Sequence, residues 1–273
     1  MGKIGFSLQE NYALPRQEVL RILKNVGFDG ISPPWQGLEV LQETVQEAMA
    51  LGLTLHSLHA PHDGACSLWE QKNSQMLRQT LACLDACQEW DIPILVIHPW
   101  GRFEYTFREE DLCFDNFDKL VAYATRRGVK IAFENLQGPE YLMALLDRYT
   151  NMPSVGFCWD PGHEQCYLPP VDLLKKYADR LIFTHLNDNY GSTGPKISSC
   201  DDLHLLPGDG KADWEVVLKR LKAAKPQTLL NFELKVLPKP SKYTTDLYSH
   251  LPLETYLQEA AHRTKEFAAS YFA

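Results

Sequence analysis

Residues 93–135 read PILVIHPWGRFEYTFREEDLCFDNFDKLVAYATRRGVKIAFEN, and this stretch holds one complete structural repeat. The runs ILVI (94–97) and KIAF (130–133) are short and nearly continuous in apolar character. That is the signature of parallel strands covered on both faces. Between them, residues 109–127 carry an amphipathic pattern that predicts a helix. Gly128 follows where a helix-to-strand turn wants a terminating residue. Each strand exits on an ionisable side chain, His98 after the first and Glu134 at the end of the second.

The same unit recurs along the whole chain. Strands are predicted at 3–7, 28–32, 53–60, 93–99, 130–135, 154–160, 181–187 and 228–234, and helices near 15–26, 38–51, 73–90, 109–127, 139–149, 170–179, 213–223 and 252–270. Helix 73–90 is typical, with Met76, Leu77, Leu81, Leu84 and Cys87 forming one apolar stripe. Gly27 and Gly52 stand before strands as Gly128 does. Strict alternation means parallel pairing through right-handed crossovers. Eight units in 273 residues predict a single-domain α/β protein, a closed (β/α)8 TIM barrel spanning 1–273. The doubly wound alternative wants a G-x-G-x-x-G turn after its first strand, and the chain has none there.

Composition narrows the function. No run of 18 apolar residues occurs, which argues against a membrane span, and the first residues, MGKIGFSLQENYALP, lack the apolar core of a secretory signal. Lys plus Arg number 27 against 35 Asp plus Glu, a net charge of −8 that disfavours a dedicated nucleic-acid binder. The seven cysteines include no C-x-x-C pair, so they are read as small packing residues in a reducing, cytoplasmic setting. Homo-oligomerisation is left open.

The chemistry is expected at one rim. His59, His98, Glu134, Asp160, His185 and Glu233 lie at or near the C-terminal ends of predicted strands three to eight. In a barrel these ends converge, and active sites form there. Charged groups in such apolar strands are costly to bury unpaired, and a cation among them resolves the cost. Three carboxylates and an imidazole suit a divalent ion such as Mn2+, Co2+, Mg2+ or Zn2+. His163 follows Asp160 in WDPGH, where Pro161 and Gly162 impose a turn that brings its ring back to the rim. Asp202 and His204 form a D-x-H pair on the long loop after strand seven, suited to ligation or substrate contact. Lys235 shares a strand face with Glu233 and either reaches an anionic substrate group or pairs with a carboxylate. Trp35, Trp100 and Trp159 near strand exits are candidate apolar walls, with packing the alternative role. His56, His62, His250 and His262 are read as structural or solvated.

At these residues the sequence resembles the xylose-isomerase-like TIM-barrel superfamily of sugar isomerases, epimerases and type IV apurinic endonucleases. The carriers are LHAPH (58–62), VIHP (96–99), FEN (133–135), WDPGH (159–163), THLND (184–188), HLLPGDGKADW (204–214) and NFEL (231–234). The resemblance implies a metal held by Glu134, Asp160, His185 and Glu233. In the sugar branch it implies Glu134 and Glu233 as the acid/base pair, with His163 helping to hold the substrate. His59, His98, His204 and Lys235 are then expected substrate contacts. The endonuclease branch uses nine ligands for three zinc ions, and the chain offers His59, His98, Glu134, Asp160, His163, His185, Asp202, His204 and Glu233 for them. The acidic charge and the absence of basic, Gly-rich strand-end loops argue against DNA contact.

The expected activity is therefore metal-dependent isomerisation or epimerisation of a keto sugar, keto-polyol or related carbohydrate through an enediolate. The alternatives are a zinc-dependent endonuclease-like phosphoesterase and a non-catalytic metal- or sugar-binding relative. No Gly-rich phosphate loop is evident, which favours a non-phosphorylated substrate. Residues 236–250, VLPKPSKYTTDLYSH, form a connection longer than usual, read either as a lid or as a passive excursion.

Overall fold

The computed structural model describes residues 2–71, 74–236, 247, 248 and 250–273. Seven strands run unbroken: β1 Lys3–Ser7, β2 Gly30–Ser32, β4 Ile94–Ile97, β5 Lys130–Glu134, β6 Val155–Trp159, β7 Leu181–Thr184 and β8 Leu229–Phe232. The third, β3, is interrupted and runs as Thr54–Leu55 and Leu58–His59. Its first half pairs with β2 and its second with β4, so the ladder divides into two all-parallel groups, β3-β2-β1-β8 and β3-β4-β5-β6-β7. Parallel bridges Pro34–His59 and Leu186–Phe232 close both seams. The result is the closed eight-stranded barrel that the repeat predicts. The break in β3 falls at His56, whose ring takes the space that a Cβ on Gly5 or Gly30 would occupy, 2.8 and 2.3 Å away.

Side-chain alternation sets two cores. In KIAFE, Ile131 and Phe133 face the helices in the large outer core, whereas Ala132 faces inward with Val96, Cys158 and Phe183. The next inward position after Ala132 is Glu134, at the mouth of the barrel. The strand that fills the core therefore also delivers the carboxylate to the rim.

Helices α1 Arg16–Val26, α2 Leu38–Ala50, α3 Gln75–Glu89, α4 Asp115–Arg127, α5 Pro139–Arg148, α8 Trp214–Lys222 and α9 Leu253–Phe272 follow the predicted order. Gly27 (φ 96°) and Gly128 (φ 69°) end α1 and α4 in the left-handed region, where a Cβ would be strained. Three expectations need correction. The helix predicted over 109–127 starts only at Asp115, after a separate 3-10 turn at Glu109–Asp111. That predicted over 170–179 shrinks to α7, Leu173–Lys176, with a 3-10 turn at Ala178–Arg180. On α3 the stripe runs through Thr80 and Cys83, while Leu81 is only half-buried, and Thr80 settles its hydroxyl on the Met76 carbonyl at 2.8 Å.

None of the seven cysteines is in a disulfide. Five are buried, but Cys113 is half-buried and Cys200 exposed, so packing does not account for every one. Among the described residues no helix is long and apolar enough to cross a membrane. The 236–250 connection lies mostly outside the described residues.

Candidate metal centre and active site

Strand ends supply the centre. Glu134 closes β5, Asp160 follows β6, His185 follows β7 and Glu233 follows β8. One ligand atom from each of these four lies within 4.8 Å of all the others. The focus is Nδ1 of His185, 2.9 Å from Glu134 Oε1 and 3.0 Å from Glu233 Oε2. Although β5 and β8 are far apart around the barrel, their two carboxylates meet at one imidazole nitrogen.

Each glutamate turns its other oxygen away from that focus. Glu134 Oε2 lies 3.2 Å from His98 Nε2 and 3.4 Å from His59 Nε2, whose rings are themselves 3.1 Å apart at nitrogen. Glu233 Oε1 lies 3.3 Å from His204 Nε2 and 3.5 Å from Lys235 Nζ. Lys235 thus pairs with a carboxylate, as the shared strand face allows. Asp202 lies between His163 and His204, at 3.5 Å from Nε2 of the former and 3.2 Å from Nδ1 of the latter. The structure therefore gathers all nine rim residues and Lys235 around one cluster. His250 and His262 are exposed, and His62, also exposed, edges the cluster with its ring 5.6 Å from that of His98 and 6.3 Å from that of His59.

Burial makes the cluster electrostatically demanding, since Glu134, Asp160 and His185 are all 0% exposed. Burial pushes the Asp160 carboxyl up to about 7, against His163 and with the help of Glu134, Glu233 and Asp202. Burial acts the same way on Glu134, yet the His185 charge and hydrogen bonds from His163, His185 and His59 outweigh it and hold that carboxyl well below the usual range. His163 and His185 lose charge preference through burial but regain more from the surrounding anionic groups, so both rise well above the ordinary imidazole value. His98 has no such excess, and burial takes it down to about 3. His163 and His185, drawn toward their charged forms, thus offset part of the carboxylate charge. A divalent cation at the same focus does this directly, and the oxygen-rich donor set fits one.

Local structure explains how these side chains are held. WDPGH is not a loop turn but the start of a helix missed in the sequence, α6 Pro161–Tyr167. Asp160 is its N-cap, accepting from His163 N at 2.8 Å, and Pro161 occupies the first turn. The first helical turn, rather than a reverse turn, places the His163 ring 3.3 Å from Glu134 Oε1. Asn135 clasps the Asp160 backbone from both sides, at 2.7 and 2.8 Å. Trp159 alternates away from Asp160 into the outer core at 0% exposure, so it forms no wall of the rim. Trp100 stacks on Tyr141 at 3.8 Å, which leaves Trp35 as the half-buried candidate.

Sequence reasoning also missed three polar residues that support the site. Asn187 donates to Asp160 Oδ2 at 2.8 Å, and Asn189 donates to Asn187 Oδ1 at 3.0 Å. Asn189 Oδ1 in turn accepts from the Leu203 and His204 backbone amides. This chain of bonds links the Asp160 carboxylate to His204, whose φ of 56° is a strained value for a non-glycine residue. Asp188, fully buried, accepts from Gly208 N, Ala212 N and Trp214 Nε1, each at 2.9 Å, and so folds the PGDGKADW segment over the rim. Their signal was present: Asn187 and Asp188 lie within THLND, and Asn189 directly follows it.

Gly162 is where α6 touches this asparagine pair. A Cβ there would lie 1.9 Å from Asn187 Oδ1 and 2.5 Å from Asn189 Nδ2. Gly162→Ala should therefore destabilise the protein by about 1–3 kcal/mol, the usual cost of forced overpacking. Urea unfolding checks this, and an unchanged midpoint would show that the contact relaxes freely.

Cys158 is an unexpected neighbour. Its Sγ lies within 4.8 Å of a ligand atom of both Glu134 and His185, directly below the cluster.

Comparison with known proteins agrees with the fold. A family model described as xylose isomerase-like TIM barrel matches residues 20–263. Inosose dehydratase of Clostridium botulinum is 28% identical over 140 residues, 44% of this chain and 45% of that protein. The chain spans about half the length of the curated relatives it matches. Among solved structures, the IolI protein with a bound zinc atom superimposes with a TM-score of 0.77 at 19% identity, covering 99% of both chains. The 3-keto-D-glucoside 4-epimerase YcjR of E. coli does so at 0.68 and 19% identity, over 97% of this chain and 100% of that one. The chain belongs to the xylose isomerase-like TIM barrel family.

Proposed function

We propose that the protein is a divalent-metal-dependent isomerase or epimerase of a keto sugar or keto-polyol. The observation that carries this reading is the two-ended placement of Glu134 and Glu233. Each has one oxygen at the His185 focus and the other among neutral or cationic partners, His98 and His59 on one side and His204 and Lys235 on the other. The relatives, an inosose dehydratase by name and a keto-glucoside epimerase by name, support the substrate class.

Glu134, Asp160, His185 and Glu233 would hold the ion, which when bound supplies Lewis-acid polarisation of a substrate carbonyl. The chain's own residues supply proton transfer. One glutamate takes the proton beside the carbonyl on its outward oxygen. It returns that proton to the neighbouring carbon in isomerisation, or its partner delivers one to the opposite face in epimerisation. His204 and Lys235 steady Glu233 in either protonation state, and His59 and His98 do the same for Glu134. His163 and Asp202, on the loop side, are placed to orient substrate hydroxyls.

A second reading rests on a specific observation. His59, His98 and Glu134 form one further three-ligand group, and Asp160, His163 and His204 another. Three such groups suit three zinc ions and a phosphoesterase.

Two measurements separate the readings. Elemental analysis of protein supplemented with Mn2+, Co2+, Mg2+ or Zn2+ should give about one ion per chain, by the single four-residue donor set. Incubation of ketoses and inososes in D2O should give metal-dependent deuterium uptake beside the carbonyl, seen by NMR. Three zinc ions per chain with cleavage of abasic duplex DNA would replace the sugar reading. One bound ion without deuterium uptake by any carbonyl substrate would reduce the protein to a binding relative.

A further inference from the structure

The rim has a second concavity that the chemistry above does not use. The loops after β1 and β2, residues 8–15 and 33–37, frame a pocket of about 220 Å³. Its walls join the catalytic cluster at two points. Pro34 bridges to His59, with His59 N donating to the Pro33 carbonyl at 2.9 Å. On the other side, Gln9 Oε1 accepts from Val236 N at 3.4 Å, the residue next to Lys235. The pocket therefore adjoins the rim at the His59 flank and at the Lys235 flank.

Its chemistry is that of a neutral polyhydroxylated ring. Gln9, Asn11 and Gln36 line it with planar amides that both donate and accept. Tyr12, Pro33 and Pro34 add flat apolar faces, which suit the C–H face of a pyranose. Its one cation is engaged elsewhere, since Arg16 pairs with Glu43 at 2.8 Å and Glu47 at 3.1 Å. With Glu10 also on the wall, nothing in the pocket favours a phosphate.

We propose that this pocket is a second sugar subsite, so that the substrate is a keto-glycoside or keto-disaccharide rather than a free ketose. The reacting ring lies over Glu134 and Glu233, and the second ring lies between the β1 and β2 loops. This rests on the carbohydrate reading of the site, and the test separates the two. Asn11 and Gln36 are exposed, so Asn11→Ala with Gln36→Ala leaves the fold and the catalytic cluster intact.

The probes are isomaltulose, turanose and lactulose, compared with D-fructose, D-psicose and D-tagatose. In wild-type protein, deuterium uptake should be at least about tenfold more efficient for the best disaccharide than for the best ketose, mostly through KM. The double variant should lose about tenfold on disaccharides, the scale of two neutral hydrogen bonds, and nothing on ketoses. Equal or lower efficiency for every disaccharide in wild-type protein would overturn the subsite. Titration calorimetry of the same disaccharides is the second arm. Binding weakened about tenfold in the double variant, without deuterium uptake in either protein, would support the subsite while removing the proton-transfer reading. Disaccharide binding no tighter than ketose binding, and indifferent to the double variant, would overturn the subsite whatever the activity.

Discussion

Glu134→Gln and Glu233→Gln should each lower turnover by about 10²–10⁴-fold, the range that a positioned acid or base contributes. The amide keeps the shape and removes the proton-accepting oxygen. The two changes differ in their side effects. Both oxygens of Glu134 face imidazole nitrogens, from His185 and His163 on one side and His98 and His59 on the other. Glutamine must present a donor to one of these pairs in a fully buried site, so a stability loss of about 1–3 kcal/mol should accompany the kinetic one. Glu233 also faces nitrogen groups with both oxygens, His185 on one and His204 and Lys235 on the other, but its side chain is 17% exposed, so its glutamine variant should lose less stability than that of Glu134.

Deuterium uptake divides the mechanisms further. With two bases, one variant should still exchange the substrate proton with D2O while failing to complete epimerisation. With one base, the variant of that base should lose both. Full turnover in both variants would remove the acid/base assignment.

The rim was legible in the sequence because two local rules act together there. Alternation along KIAFE sends Ile131 and Phe133 outward and Ala132 and Glu134 inward, and parallel strands bring their exits to one end. The same rule applied to Trp159 and Asp160 requires opposite faces, so the outward position of Trp159 was implicit in its neighbour. Helix α6 was harder. Its seven residues are too few for apolar periodicity to mark, and Asp160 and Pro161 read equally well as a turn. The cap geometry settles it, and gives Asp160 a backbone role beside its proposed ligand role.

What could not be read locally is the loop after β7. His204 owes its conformation to Asn189, 15 residues earlier, and the PGDGKADW segment owes its path to Asp188, 20 to 26 residues earlier. Such bonds leave no periodic trace; only the polar residues crowded into THLND hint at them. The break in β3 has a similar origin, since the His56 ring depends on glycines from two other strands.

Chelation should lower the melting temperature by about 10 °C relative to protein held at a thousandfold excess of Mn2+ over its dissociation constant. A ligand bound only by the native state at that excess adds about 4 kcal/mol, and chains of this size shift by roughly 2–4 °C per kcal/mol. The geometry says why native-only binding applies. Glu134, Asp160, His185 and Glu233 come from four strands separated by up to 99 positions in sequence, and only the closed barrel assembles their donors within 4.8 Å. Asp160→Asn and His185→Ala should each abolish the increment, because each removes a donor that the others cannot replace. Neither variant should melt higher with Mn2+ than with chelator. Asp160→Asn keeps an oxygen to cap α6 at His163 N but sets its amide group against the Asn187 donor, so its metal-free form should melt below metal-free wild type while still unfolding cooperatively. That comparison separates loss of the ion from loss of the fold. A wild-type melting temperature indifferent to Mn2+, Co2+, Mg2+ and Zn2+ alike would mean that His163, His185 and Lys235 supply the cluster's counter-charge without an ion, and the metal-dependent chemistry would have to be abandoned.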